Sequence, residues 1–435
     1  MLNRSFAAFV LFAVFLCGSA WGQEFQLQDL VSEALRNNPE IQASQARVEA
    51  SRYRIPQAGS LPDPMVMFGY QNEGFSKFTY DSSPDSQFMI SASQMFPFYG
   101  KRSLKENMAR FDSESLEAMH RNLVLKTESR VKELYYDLFL AYKSLDLLTR
   151  RGELLDRIES LSISRYSSGA GTQQEVLMAQ TEKYMLLERA EMQRLKIRAI
   201  EAMLLSTLGR WAGSLPGRPA EPQRQVLAMD LEKAIQVALD RSPEIQSRDK
   251  MIEAGRTRTQ MARKEYYPDF TINASVFPRG NDFEDMWSLT GQFNIPLYFR
   301  SRQSMGVKEA DSSLVQAGRE KDAIRNMISA SLRENYSMLT ASEKLIDLYS
   351  KGIIPKAAQD FELALSGYGT GRTEAIVVVT RIRNLIDQEN LYWGQLMERE
   401  KAIARIVSIT GGNGPAGELN GKEAEKGAGK SNEAK

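Results

Sequence analysis

Residues 34–42 read ALRNNPEIQ and residues 238–246 read ALDRSPEIQ, identical at six of nine positions. The repeat extends beyond the nine residues. Each copy opens with a predicted helix, Leu27 to Ala58 or Leu231 to Tyr266, then a Pro-Asp step at Pro62-Asp63 or Pro268-Asp269. Two short alternating runs follow, then an apolar-proline phrase entering a basic stretch, QMFPFYGKRS (94–103) or QFNIPLYFRSR (292–302). A long helical region then breaks at SSGAGT (167–172) or GYGTGRT (367–373), and a last helix ends at LLSTLGR (204–210) or IVSITGG (406–412). The chain therefore divides into a first structural repeat over 23–210, a Gly/Pro-rich linker over 211–229 and a second repeat over 230–412. A signal peptide over 1–22 precedes them, and a tail over 413–435 without apolar periodicity reads as disordered.

Composition narrows the function. Lys plus Arg is 56 and Asp plus Glu is 55, so there is no basic surplus and no nucleic-acid partner is expected. One Cys and one His exclude internal disulfides and leave little room for His/Cys metal sites or Cys–His catalysis. No triad set or phosphate loop is legible either, so no catalytic, cofactor-binding or metal residues are assigned and no enzyme is expected. His120, in mid-helix, reads as a surface residue. At the N-terminus, Asn3-Arg4, an apolar run from Phe6 to Cys17 and Ala20-Trp21-Gly22 form an export signal cut before Gln23. The alternative, lipidation at Cys17, places Leu16 where a small residue is expected. The run of about 12 residues is too short to span a bilayer as a helix, which needs about 20. An exported chain of this kind meets a membrane as a β-barrel or at its surface.

The strands alternate with period two. Phe270, Ile272, Ala274 and Val276 share one face and Thr271, Asn273 and Ser275 the other; Trp287, Leu289, Phe293 and Ile295 oppose Ser288, Thr290, Gln292 and Asn294. Val66, Phe68 and Tyr70, and Phe88, Ile90 and Ala92, repeat the pattern in the first half. An ordinary sheet on a core fits this alternation, and so does a membrane barrel. Four strands, placed as two hairpins, cannot close a barrel alone, and open edges are not tolerated in lipid. Three chains would give twelve strands. Met65, Met67, Met89 and Met95 on these strands could serve a soft metal; strand methionines facing a lumen or a packing gap are the commoner case.

From Arg102 to Tyr166 no proline interrupts the helical pattern. Val131, Leu134, Leu138, Ala141, Leu145, Leu148, Gly152 and Leu155 repeat every 3.5 residues, the period of a left-handed coiled coil. Val379, Ile382, Ile386, Glu389, Trp393, Leu396, Glu400, Ile403 and Val407 continue it in the last helix. The fold class expected is mainly α with a β segment: long helical hairpins in tandem, forming an elongated coiled-coil sheath with the glycine turns at its far end, and four strands per chain.

These features resemble the TolC-like outer-membrane efflux factors over nearly all of the mature chain. The duplicated A-L-x-x-x-P-E-I helix, the Y-x-x-G turns at Tyr166–Gly169 and Tyr368–Gly371, and Leu208-Gly209 carry the resemblance. It implies a homotrimer with a 12-stranded barrel in outer-membrane lipid and a periplasmic α-barrel in a Gram-negative envelope. It also implies a periplasmic adaptor and an inner-membrane RND-type pump as partners. Leu61-Pro62-Asp63-Pro64 and the QMFPFYGKR phrase look like those of outer-membrane partners of heavy-metal exporters. The function implied is a passive exit duct; the alternative is a periplasmic adaptor or structural coiled-coil protein, disfavoured by the duplicated strand pairs. The resemblance also implies a gate at the tips, where a Tyr and an Arg bond to acidic residues of a neighbouring hairpin. Tyr368 and Arg372 occupy similar places; the family's acidic positions align with Leu177 and Val377, and the nearest carboxylates are Glu175 and Glu374. Gly169, Gly171, Thr172, Gly369, Gly371 and Thr373 would form the tips that meet the adaptor.

Overall fold

The computed structural model describes residues 24–280 and 282–412. The signal peptide with Cys17 and the expected disordered tail lie outside the described residues. The chain forms two compact units. One comprises Ala43–Asn122 and Pro243–Met327; the other holds the remaining described residues.

The repeated peptide is a corner. Two helices replace each expected single one: α1 (Leu27–Asn37) and α2 (Pro39–Gly59) in the first half, α5 (Leu231–Arg241) and α6 (Pro243–Lys264) in the second. A residue before proline is pushed out of the α region. Asn38 and Ser242 accordingly have ψ of 120° and 124°. Pro39 and Pro243 then begin the next helices, where a missing N–H costs nothing. Asn38 serves both ends: its Oδ1 accepts from the Glu40 and Ile41 amides at 2.9 and 3.1 Å. Its Nδ2 donates to the Thr207 carbonyl at 2.8 Å, near the end of the last helix of the same half.

In the strand-bearing unit, β1 (Met65–Gln71), β2 (Gln87–Phe96), β3 (Phe270–Phe277) and β4 (Met286–Phe293) form a single antiparallel sheet in the order β1-β2-β3-β4. The two expected hairpins are thus joined, by β2 pairing with β3 from Ile90↔Val276 to Phe96↔Phe270. β4 stops at Phe293, two residues short of the expectation, and the Asn294 amide turns to the Asp269 carbonyl. Directly paired residues share a face. The register gathers Val66, Phe68, Tyr70, Phe88, Ile90, Ala92, Phe96 and their β3 and β4 partners on one face, with Gln94 the sole polar member of the β2 row. The opposite face carries Ser91, Ser93, Thr271, Asn273, Ser275, Ser288, Thr290 and Gln292. At one end of the apolar face Phe96, Phe270 and Phe293 form a row with ring centroids 5.2 and 6.4 Å apart. At the other end, Tyr70 and Phe88 lie 5.0 Å apart.

The strands leave their helices at a polar knot. Gly100 adopts φ +87° and lets Lys101 turn inward. The Lys101 ammonium, almost fully buried, reaches Asp269 Oδ1 at 2.9 Å and the Tyr267 carbonyl at 3.1 Å, and Asp269 Oδ1 also accepts from the Phe98 amide at 2.7 Å. The basic phrase of the first half and the Pro-Asp step of the second thus make one joint.

The other unit is built of helices. α3 (Lys101–Ser167), which belongs to this unit from Leu123 onward, runs 67 residues without a break, and α4 (Gln173–Thr207) returns beside it. In the second half, α7 (Gln303–Leu348), a π turn (Tyr349–Ile353) and α8 (Ile354–Gly369) precede α9 (Ala375–Ile409). The predicted stripe is the core: Val131, Leu134, Leu138, Ala141, Leu148 and Leu155 are buried, as are Val379, Ile382, Ile386 and Ile403. Glu400, one of the two Glu in the α9 stripe, is also buried, paired with Arg399. Burial pushes its carboxyl above the usual range, and the Gln225 amide and Arg399 oppose that rise. The linker is strapped to this unit. Tyr135 Oη donates to the Ala220 carbonyl at 2.8 Å and lies 3.2 Å from that of Phe25, and Arg399 donates to the Gln225 carbonyl at 2.9 Å.

Candidate functional site

Both glycine turns close by one scheme. The Ala170 amide bonds back to the Arg165 carbonyl and the Arg372 amide to the Gly367 carbonyl, each at 2.8 Å. Gly169 and Gly371 both take φ +74°, the left-handed cap conformation that favours glycine. Thr172 then caps α4 by accepting from the Glu175 amide, whereas Glu374 at the start of α9 makes no side-chain cap.

The turns differ in what their side chains meet. Tyr368 is fully buried. Its hydroxyl lies 3.0 Å from Glu175 Oε2 and 2.8 Å from Ser162 Oγ. A phenol has one proton, and the carboxylate is the stronger acceptor. The proton therefore goes to Glu175, and the single Ser162 proton is shared between the Tyr368 oxygen and the Ile158 carbonyl, 2.8 Å from each. Burial raises the Tyr368 pKa above its usual value and the Glu175 contact adds to it, while Ser162 and Arg165 oppose. The phenol stays protonated, which the bond to Glu175 requires. Arg165 completes the cluster. Its guanidinium lies 5.0 Å from the Tyr368 ring centre, donates to the Tyr368 and Ala170 carbonyls at 3.2 and 2.9 Å, and stands 3.9 Å from Glu175. A tyrosine of the second hairpin is thus locked to a serine, an arginine and a glutamate of the first.

Of the residues named from the sequence, the structure brings together Tyr368 and Glu175. Arg372 and Glu374 are exposed, and no side-chain hydrogen bond or ion pair holds either among the described residues. Leu177 is exposed and Val377 half-buried. Gly169, Gly171, Gly369 and Gly371 lie at the tips; Thr373 packs under Gly367, where a Cβ would stand 2.2 Å from its Oγ1. Ser162 and Arg165 were not singled out in the sequence. Their only signal is position, four and one residues before Tyr166 of the first Y-x-x-G turn.

Elsewhere, Met65, Met67, Met89 and Met95 all lie on the polar face of the sheet, with Met286. Among the described residues no group of three or more His, Cys, Asp or Glu side chains could hold a metal ion. His120 is half-buried rather than on the surface, with Nδ1 shielded and unpartnered. No described helix is long and apolar enough to cross a membrane.

An open sheet with one apolar face, carried by long tandem hairpins, defines the chain's class: it belongs to the outer membrane efflux protein family, whose model matches residues 30–210 and 234–412. Its relatives include the cobalt-zinc-cadmium resistance protein CzcC of Cupriavidus metallidurans, 22% identical over 88% of this chain and 90% of that protein. The pyoverdine export outer membrane protein OpmQ of Pseudomonas aeruginosa is also 22% identical, over 90% of this chain and 85% of that protein. In fold the chain matches the crystal structure of CusC with a TM-score of 0.78, at 14% identity over 90% of this chain and 94% of that one. The family and fold are those of outer-membrane channels, not of enzymes.

Proposed function

We propose that the chain is the outer-membrane exit duct of a tripartite efflux system, a homotrimer fed by a periplasmic adaptor and an inner-membrane RND-type pump. The observation that carries this reading is the sheet. Its apolar face runs from the Phe96 row to the Phe88 row, eight residue steps along β2. That is roughly 26 Å at about 3.3 Å per residue, against an apolar band of about 25 Å in outer-membrane barrels. Aromatic rings stand at both ends, as they do where barrel walls meet the two water interfaces. Nothing among the described residues pairs the outer edges of β1 and β4. Edges in lipid must be paired, and three copies joined β4 to β1 close twelve strands with the Ser/Thr/Asn/Gln face inward. The duct is passive; the pump supplies energy and selects cargo.

The Tyr368–Glu175 lock is the candidate gate, and Arg372, exposed beside it, is free to meet a neighbouring chain. CzcC and OpmQ are named for metals and for pyoverdine, so cargo is not fixed by the duct's fold. The LPDP and QMFPFYGKR phrases favour a metal exporter as partner. The test is reconstitution: purified protein should be a trimer by native mass and conduct ions in planar bilayers. A stable, non-conducting monomer would overturn the reading.

A further inference from the structure

Several exposed apolar residues of the helical unit fall at positions that the repeat relates to charged ones. α4 and α9 are both 35 residues long, so each α4 residue has its counterpart 202 positions on (375 less 173). Along α3 and α7 the separation is 201 (336 less 135) at Tyr135 and Tyr336, which donate alike to backbone carbonyls. The π turn Tyr349–Ile353 holds the one extra residue, and the separation is again 202 at the tip glycines, Gly169 and Gly371.

Among the described residues, five ion pairs join the first hairpin to the second within the chain: Arg151–Glu389, Arg189–Asp387, Glu182–Arg383, Asp137–Lys401 and Glu133–Arg405. At none of their counterparts do two opposite charges stand. Arg189 and Asp387 correspond to Leu391 and Met185, Arg151 and Glu389 to Ile353 and Leu187, and Asp137 and Lys401 to Met338 and Ala199, all uncharged; Glu182 and Arg383 correspond to Asn384 and Thr181, and Glu133 and Arg405 to Glu334 and Met203. Met185, Leu187, Ile353 and Leu391 are 39%, 49%, 40% and 46% exposed. The lock at the tip follows the same rule: Tyr368 and Glu175 correspond to Tyr166, half-exposed, and Val377.

We infer that a second copy of this chain covers these positions, so that the seam between chains carries no ion pair where the seam within a chain is ionic, and is apolar at three of the five places. The inference rests on the trimeric-duct reading. The second hairpin meets the first hairpin of the next chain in the register that the two hairpins of one chain already show. The match is pairwise: each ion pair that closes the inner seam is replaced by two uncharged or singly charged residues, one on each free edge. A different protein covering either edge would have no reason to respect that pairing.

Cysteine pairs in the full-length chain test it. Met185→Cys with Leu391→Cys, and independently Leu187→Cys with Ile353→Cys, should give covalent dimers and trimers with a flexible dimaleimide long enough to span the side chains replaced, read on a denaturing gel. Arg189→Cys with Asp387→Cys, whose parent side chains meet within one chain, should be linked within that chain and run as a monomer. The parent, whose one Cys, Cys17, lies in the predicted export signal, and each single variant should give no ladder. A trimeric native mass with no ladder from either apolar pair would overturn the seam and leave the duct standing. A monomeric native mass would overturn the duct, and the seam with it.

Discussion

Two residues show how much a single side chain decides in this chain. Gly209 ends the first half at φ +79°, and a Cβ there would lie 2.4 Å from the Asn37 carbonyl oxygen. A left-handed non-glycine residue costs about 1–2 kcal/mol before any clash is counted. Gly209→Ala should therefore lower stability by more than that, measured as a fall in the urea midpoint with an unchanged slope. Tyr368 is the other. A hydrogen bond to a charged group is worth about 1.5–3 kcal/mol, and Glu175, partly open to water, is rehydrated when the phenol is lost. If the cluster holds the tip shut, as proposed, Tyr368→Phe should cost the closed tip about 1–2 kcal/mol per chain, and repetition in each copy of the proposed trimer would make this enough to shift a gate. Single-channel conductance should rise and cells should become sensitive to large antibiotics. Glu175→Gln should act in the same direction without adding fully, since partners in one network couple. Conductance equal to the parent's in both variants would place closure elsewhere, and Arg372→Ala asks separately whether a contact between chains holds it. The sequence shows Tyr368 and Glu175 as candidates because turn motifs are local. It hides Ser162 and Arg165, which matter only because α3 and α8 lie side by side.

At the scale of elements, local chemistry was legible and joints were not. The stripe from Val131 to Leu155 announces its buried face, because helical period and burial are the same information. The corners at Asn38 and Ser242 escape that reading, since apolar spacing runs through them and only the following prolines mark the break. The π turn leaves no compositional mark and emerges from the shift in repeat spacing. The strand–helix joint is equally non-local: Lys101 and Asp269 sit 168 positions apart (269 less 101) and form one buried contact. Removing one partner of a buried pair costs about 3–5 kcal/mol. Asp269 keeps some exposure, so Lys101→Met should fall at the lower end of that range, and adding Asp269→Leu should recover part of it. A chemical denaturation series on the single and double variants measures this. The linker offers a pH test. Burial first, then the Glu24 charge, pushes the Tyr135 phenol up to about 12, against the Ala220 bond that lowers it. A raised folded-state pKa means that stability is fully present below the ordinary value near 10 and is lost as pH rises towards 12. The unfolding midpoint should drop across that window, and Tyr135→Phe, with nothing there to ionise, should flatten the drop.

For the whole molecule, the decisive quantity is which face of the sheet meets which solvent. Period-two alternation gives two faces from sequence alone, and it cannot tell a half-buried sheet from a barrel wall. The structure adds the shared register of four strands, the aromatic rows at both ends of the apolar face and the absence of any described element across the outer edges of β1 and β4. Leu289 lies mid-band, in one row with Val66, Ala92 and Ala274, and is 66% exposed in the single chain. Thr290, its neighbour, points to the polar face and pairs with Asn273. In a barrel wall, an arginine on the lipid side near the midplane costs about 2–4 kcal/mol, whereas one facing the lumen meets water. A barrel of three chains multiplies the first penalty by three. Leu289→Arg should therefore reduce the trimer recovered from outer-membrane fractions, whereas Thr290→Arg should assemble normally and shift conductance or ion selectivity by adding a ring of three positive charges. If instead the apolar face packs on protein, Leu289→Arg should be no worse tolerated in detergent-free fractions than in membranes. Equal membrane recovery of the two variants would sink the assignment of faces, and with it the closure of twelve strands around a polar lumen.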